Sequence, residues 1–333
     1  MDDRESAWRE MNMKKVLITG GAGRLGVIVC QAFLDNGYWV RVLDLDTSQN
    51  RRNLKKLKPR ERVEVFWGDI TQPPLMAPAL SGVDAVVHMA AILPPAADKH
   101  PELAHKVNVD GTRNLIDLIK TLPQRLPLVF TSSVAVFGCY PELREPLCPE
   151  KTPPRPVDVY GKTKLEAENL IRESGIDFVI LRLTATMYLD FTLTDIKRMF
   201  SAPPETPVEF CHPKDAATAI VNAVRDFDKV KGNTFVISGG PGQRMSYGEM
   251  VGAILGLMGL PLPPREKFSR EPFYLHWYDT AKAQALLLFQ QHSFSDYLRD
   301  LSRAISRKYG PGFLGFMRLF VSPVLGKVIV QFF

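Results

Sequence analysis

Cysteine is scarce: four residues in a chain of 333, with no CxxC pair and no histidine nearby at zinc-finger spacing. Cys30, Cys139, Cys148 and Cys211 therefore frame neither a disulfide scaffold nor a metal site. A reducing, cytoplasmic setting is expected, with no metal. The first fifteen residues are polar and charged, without the apolar run of a signal peptide. Charge of one sign is nearly absent as a bias: Lys and Arg number 42 against 36 Asp and Glu. No long basic run is interleaved with aromatics, so nucleic acid is not an expected partner. No repeat of 20–50 residues occurs. With 45% hydrophobic and 23% charged residues, disordered, collagen-like and polytopic membrane classes are excluded. What remains is a globular enzyme, either one large α/β domain or a core with a smaller lobe.

The order of elements is informative. Residues 16–19 form a short β-branched run that stops at glycines, as a buried strand does. Residues 24–36 read as a helix closed by Gly37. Strands are expected at 38–43, 63–67, 85–89, 128–131 and 178–181, with helices at 101–121 and 158–173. This alternation predicts an α/β fold, a Rossmann-type doubly wound parallel sheet covered on both faces. After Leu183 the pattern loosens. A helix at 215–225 and a strand at 234–238 return to the sheet, and 246–309 reads as mostly helical, broken by a Pro-rich stretch at 261–264. The expected division is an extension (1–12), a dinucleotide-binding core (13–183, with 212–240 returning to it), a mostly helical substrate lobe (184–211 and 241–309) and an apolar tail (310–333).

Residues 19–26 read TGGAGRLG between a strand and a helix. Gly20, Gly23 and Gly26 permit a tight turn and close approach of backbone to a pyrophosphate. The helix N-terminus, with Arg24 and Leu25, then offers free N–H groups and a positive dipole end. Asp44 ends the second strand, 24 residues after Gly20. A carboxylate there accepts hydrogen bonds from the adenosine ribose hydroxyls and repels a 2′-phosphate, so NAD is favoured over NADP. Arg24 and Arg41 are the two cations able to blur that choice.

Residues 160–164 read YGKTK. Tyr160 and Lys164 are four apart near a helix start and share a face. A nearby ammonium is expected to favour the phenolate and lower the tyrosine pKa. Upstream, FTSSVAVFG over 130–138 puts Ser133 at the C-terminal end of the fifth strand. Ligands bind on that side of an α/β sheet, so the hydroxyl is placed to hold a reacting oxygen beside the tyrosine.

Together these residues resemble the extended short-chain dehydrogenase/reductase family, also described as NAD-dependent epimerases/dehydratases, over about residues 13–300. Residues 19–26 resemble its glycine loop. Asp69 and Ile70 lie in GDI (68–70), similar to the step whose acid meets the adenine. Ala90 and Ala91 close VHMAA (87–91), which resembles the segment lining the cofactor after the fourth strand. Asn108 in VNVDGTRN (107–114) matches the helix asparagine, and Ser133, Tyr160 and Lys164 match the catalytic serine, tyrosine and lysine. HPKDAA (212–217) and DTAKA (279–283) resemble two later signatures. The resemblance implies hydride transfer between NAD and a secondary alcohol or ketone. Tyr160 carries the proton, Lys164 holds the nicotinamide ribose, Ser133 binds the reacting oxygen, and Asn108 supports the site. It also implies a homodimer. A sugar or sugar-nucleotide epimerase or dehydratase with retained cofactor is the alternative, and a non-catalytic dinucleotide sensor the third reading.

Departures from the family pattern bear on the small-molecule substrate. After the sixth strand the chain reads LRLTATMYLD (181–190), without the asparagine and Gly-Pro usual in sugar-nucleotide members. Arg270 is the remaining candidate phosphate ligand. Leu93, Met187 and Ser133 are candidate substrate contacts, and Ile92, Pro94, Pro95, Tyr188 and Phe191 would make the pocket rather apolar. Beyond Tyr309 the tail is rich in large apolar side chains but broken by Arg318, Ser322, Pro323 and Lys327, which makes it a poor spanning helix. Three readings stand: packing on its own lobe or a dimer partner, docking on an anionic membrane surface beside the stripe Arg299, Arg303 and Arg307, or disorder.

Overall fold

The computed structural model describes residues 14–184, 186–189 and 199–316. Seven parallel strands form one sheet: β1 (Lys15–Thr19), β2 (Trp39–Asp44), β3 (Val63–Trp67), β4 (Ala85–His88), β5 (Leu128–Ser133), β6 (Phe178–Leu183) and, after the short β7 (Pro207–Glu209), β8 (Thr234–Ile237). Their order is β3-β2-β1-β4-β5-β6-β8. The order reverses between β1 and β4, which opens a crevice above their C-terminal ends. The main helices are α1 (Arg24–Asp35), α2 (Pro73–Leu80), α3 (Gly111–Thr121), α4 (Val159–Glu173), α5 (Pro213–Arg225), α6 (Tyr247–Gly256) and α7 (Phe294–Tyr309).

Period-2 alternation sorts the strands' side chains into two cores. Val16, Ile18, Val40, Val42, Val87, Val129 and Val179 face α1 and α5. Leu17, Leu43, Val86, Leu128, Phe130 and Ile180 face α2, α3 and α4. Both faces are covered, so these strands carry near-continuous apolar runs. Helices lie on both sides of a parallel sheet, and the fold is the expected Rossmann type.

Two expectations needed correction. The helix expected over 101–121 is interrupted: Pro101–His105 passes into a π-helical stretch, Lys106–Asp110, before α3. The other concerns β7, which pairs antiparallel with β9 (Arg244–Ser246) in a small second sheet that three-residue strands do not announce. The region 246–309 is mostly helical, as expected, through α6, Arg265–Lys267, Ala281–Leu287 and α7. Its break falls between Gly256 and Ala281, where Pro261, Pro263 and Pro264 disrupt the periodicity and no helix exceeds one turn.

The C-terminal region has its own cluster, with Phe210, Tyr247, Met250, Val251, Tyr297 and Leu301 buried together. The apolar stripe of α7 is used here: Leu301 is buried, and Leu298 and Ile305 pack against the same cluster. Arg299 and Arg303 pair within the helix with Asp296 and Asp300. Among the described residues no helix is long and apolar enough to cross a membrane. Residues 317–333, on which the membrane reading rests, lie outside the described residues, as does Phe191.

Candidate active site

The turn between β1 and α1 is built from glycine for steric reasons. Gly20 has φ +71°, and a Cβ on it would stand 2.8 Å from the Ala90 backbone. A Cβ on Gly26 would stand 2.3 Å from the Gly20 carbonyl oxygen. The close packing of loop, helix and β4 therefore leaves backbone, not side chain, facing the crevice. Asp44 stands at its far side. Its Oδ2 accepts from Ala22 N at 2.9 Å and its Oδ1 from Leu45 N at 2.8 Å and Asn50 Nδ2 at 3.1 Å. Burial raises its pKa, and those backbone N–H bonds pull it down. Asp69 accepts from Thr71 N at 2.8 Å, and Ile70 fills the space that a Cβ on Gly111 would need. Arg41 is withdrawn from the cofactor choice. It lies buried between Glu64 (2.7 Å) and the carbonyls of Ala79 and Ser81. Arg24 remains in the cleft, its guanidinium 4.3 Å from the centre of the Tyr188 ring.

A buried polar chain ties the crevice's two walls together. Thr112 donates to the Asn108 carbonyl at 2.7 Å, so its oxygen is left to accept from His88 Nε2 at 3.0 Å. His88 Nδ1 is then the acceptor for the Thr19 hydroxyl at 2.6 Å. Thr19 in turn accepts from the backbone N–H groups of Met89 and Ala90. Burial pulls the His88 pKa down to about 3, so the ring is neutral and the network is static at physiological pH. Thr19, His88 and Thr112 each stand in a motif of the sequence, but nothing in their spacing announces that the three meet.

Asn108 sits in the π-helical stretch, fully buried. Its Oδ1 accepts from Ile92 N at 2.7 Å, and its Nδ2 donates to Ile92 O at 3.1 Å and Thr163 Oγ1 at 3.0 Å. Its amide is thus spent on the cleft wall and on α4. It was expected among the catalytic residues, and its contacts make it a positioning residue. The extra backbone residue of a π-turn is what lets its side chain reach both.

Asp158 caps α4, accepting from Gly161 N at 2.6 Å, and this fixes the first turn that carries Tyr160. The tyrosine is 8% exposed and Lys164 is 2% exposed. Ser133 lines the same cleft as the phenol, and its Oγ accepts from Ala135 N at 3.2 Å. Lys164 Nζ stands 4.3 Å from the centre of the Phe130 ring. Ser133, Tyr160 and Lys164 all line one cleft. The pKa expectation needed correction. Burial pushes the Tyr160 phenol above its ordinary value, and the pull downward comes from Ser133. Burial also lowers Lys164 to about 7, against the pull of Glu168. A lysine half neutral at pH 7 exerts little field on its neighbour.

The cleft has a volume of about 690 Å³ and runs from Asp44 past the glycine loop to Tyr160. Gly20, Gly23, Arg24, Leu25, Gly26, Asp44, Asp69, Ile70, Ala90 and Ala91 line its long arm. Leu93, Ser133 and Met187 line the other end, together with Met199, Tyr247, Met250, Phe273, Tyr274 and Leu275. The last five come from α6 and the irregular chain after it, and no local motif marked them. Tyr274 also hydrogen-bonds Asp158, the cap of α4. Arg270 is exposed and does not line the cleft, so it is not brought to the site.

A glycine cradle beneath a helix N-terminus, an acidic residue ending β2 and a buried Ser-Tyr-Lys group in the same crevice define a dinucleotide-binding enzyme of Rossmann architecture. The model of the NAD-dependent epimerase/dehydratase family matches residues 16–188, and the chain belongs to that family. It is an NAD-dependent dehydrogenase or epimerase. It is 28% identical over 285 residues to D-erythronate dehydrogenase of Cupriavidus necator, covering 77% of this chain and 86% of that one. It is 32% identical over 170 residues to a 3 beta-hydroxysteroid dehydrogenase/Delta 5-->4-isomerase of Mycobacterium tuberculosis, covering 49% of this chain and 44% of that one. Among solved structures, UDP-glucuronic acid 4-epimerase of Bacillus cereus, in complex with UDP-glucuronic acid and NAD, is similar in fold. Its TM-score is 0.74 at 24% identity, covering 89% of this chain and all of that one. A short-chain dehydrogenase/reductase superfamily protein from Agrobacterium tumefaciens with bound NAD aligns with a TM-score of 0.73 at 23% identity, covering 89% and 98%.

Asp44 leads to the first prediction. Asp44→Ala removes a charged acceptor for ribose hydroxyls, a bond of about 1.5–3 kcal/mol. KM for NAD should rise roughly ten- to a hundredfold and the preference over NADP should shrink. Steady-state kinetics with both cofactors is the check; an unchanged NAD/NADP ratio would remove Asp44 from the ribose site.

Proposed function

We propose that the chain transfers hydride between NAD and an uncharged, apolar secondary alcohol or ketone. One observation carries this reading. Among the described residues lining the cleft, Arg24 and Lys164 are the only cations, and both belong to the cofactor arm or the catalytic group. The far end is Leu93, Met187, Met199, Met250, Phe273 and Leu275, with the rings of Tyr247 and Tyr274. A nucleotide diphosphate would bring two phosphates into that end with no guanidinium or ammonium to meet them. Residues 184–211 and 241–309 serve as the substrate lobe in this reading, and the free cysteines suit a reducing cytoplasm.

When bound, NAD supplies the hydride acceptor or donor. Tyr160 and Ser133 hold the reacting oxygen between them. In reduction, the phenol gives its proton to the oxygen as the carbonyl carbon gains hydride. In oxidation, the phenolate takes the hydroxyl proton as the carbon loses hydride. Lys164 orients the ribose, and Asn108 keeps α4 and the Ile92 wall in register. Burial holds Tyr160 as the phenol, so the oxidative rate should climb from pH 7 to 10, while reduction should not.

The test is a panel of secondary alcohols, hydroxysteroids, D-erythronate and UDP-sugars, followed by NADH absorbance and product NMR. Stoichiometric NADH from an apolar alcohol is expected. Conversion of a UDP-sugar to its epimer without net NADH would establish the epimerase alternative. Turnover confined to the hydroxy acid would overturn the apolar assignment.

A further inference from the structure

A second groove, of about 480 Å³, lies away from the catalytic cleft. It is bounded by the later turns of α4, by β6, by the chain entering β8, by the loop at 149–154 and by Lys282 of the helix Ala281–Leu287. Three cations line it: Arg172, Arg182 and Lys282. Arg182 is 2% exposed. Its Nε and Nη2 donate to the two oxygens of Glu168 at 2.9 and 2.8 Å. Arg172 Nη2 donates to the same Glu168 Oε2 at 2.7 Å and to Thr234 Oγ1 at 3.1 Å. One buried carboxylate thus answers two guanidiniums. The Arg182 guanidinium also lies over the Phe137 ring, its Cζ 4.7 Å from the ring centre, and its Nη1 is left buried with no hydrogen-bond partner. Lys282 pairs with Glu150 at 3.1 Å, the two side chains each about half exposed, and its Nζ stands 5.7 Å from the centre of the Phe235 ring. Such an exposed pair is readily exchanged for another anion.

We infer that this groove is a binding site for a small phosphate-class oxyanion, either inorganic phosphate or the phosphate of an organic monoester, held by Arg172, Arg182 and Lys282. The cations outnumber the carboxylates Glu150 and Glu168. A guanidinium edge with an unmet donor is the group best matched to a phosphate oxygen. Lys282 and Arg172 supply the partly exposed cations at the rim, and Arg182 the buried one. This assignment is independent of the reaction proposed for the cleft.

The protein should be titrated calorimetrically while saturated with NAD, so that the glycine loop does not take the phosphate. Ionic strength is held constant with chloride. Inorganic phosphate and glycerol 3-phosphate are the two probes. Saturable one-site binding of either is expected, weakened at least tenfold in Lys282→Ala and further in Lys282→Ala with Arg172→Ala. Tighter binding of glycerol 3-phosphate would assign a monoester, and equal or weaker binding the free ion. Lys282→Ala removes an exposed side chain, so it tests the site even if the double variant folds poorly. Absence of saturable binding by both probes, or equal affinity in wild type and Lys282→Ala, would overturn the assignment.

Discussion

Tyr160→Phe is expected to lose about two to four orders of magnitude in turnover, the usual contribution of a positioned proton carrier. NAD affinity should stay close to wild type. The substitution keeps the ring, which is nearly buried, and removes only the hydroxyl. If the phenol carries the proton as proposed, the loss should fall on kcat, with KM little changed. The wild-type rise of the oxidative rate with pH should vanish as well, since it reports deprotonation of this phenol. Rapid-mixing kinetics with NAD, read at pH 7 and pH 9, measures both. A variant that keeps more than a tenth of wild-type turnover, with the pH slope intact, would remove Tyr160 from the chemistry.

The cofactor arm was legible from local sequence because its chemistry is local. A glycine loop must join a strand to a helix, and the ribose acid must end the next strand. Gly20, Gly26 and Asp44 can all be found within some 25 residues. The Ser133, Tyr160 and Lys164 group was legible for a related reason: the sheet brings strand ends to one side, so residues far apart in the chain meet without a local signal of their own. The opposite holds for Tyr247, Phe273 and Tyr274. Tyr247 comes from the start of α6 and Phe273 from irregular chain, both placed by packing on the cluster around Phe210 and Tyr297, while Tyr274 packs on the cluster around Tyr160, and packing leaves no period to read. Arg41 and Arg270 were misjudged for a third reason. A cation's role depends on what stands opposite it. Glu64 stands opposite Arg41, while Arg270 faces away from the cleft on an exposed loop. Asn108 was found by its motif, but its role depends on the π-turn, which no spacing rule foretold.

Lys164→Met is expected to make the ligand-free protein more stable and the enzyme far slower. Lys164 is buried, and burial takes its pKa from an ordinary lysine value to about 7 even with Glu168 one turn away. The unfolded chain binds the proton more tightly than the folded one, so folding stability carries a penalty from this group. Below pH 7 the folded lysine is charged, and the penalty is the full cost of burying that charge, on the order of 5 kcal/mol at ~1.4 kcal/mol per pKa unit. From pH 7 upward the folded side chain is neutral, and the penalty is the cost of removing the proton. It falls steadily and vanishes near pH 10.5, where the unfolded lysine loses its proton too. Methionine has nearly the same length and carries no charge, so it removes the penalty at every pH. Urea unfolding of both proteins at pH 6 and pH 10 should show a large advantage for the variant at pH 6 and little at pH 10. Catalysis should move the other way, since in the proposed reaction the ribose loses the amine that orients it. The site then holds a residue that stability alone would reject. An advantage that is absent at pH 6, or equal at both pH values, would show that Lys164 is not an uncompensated buried cation in the folded chain.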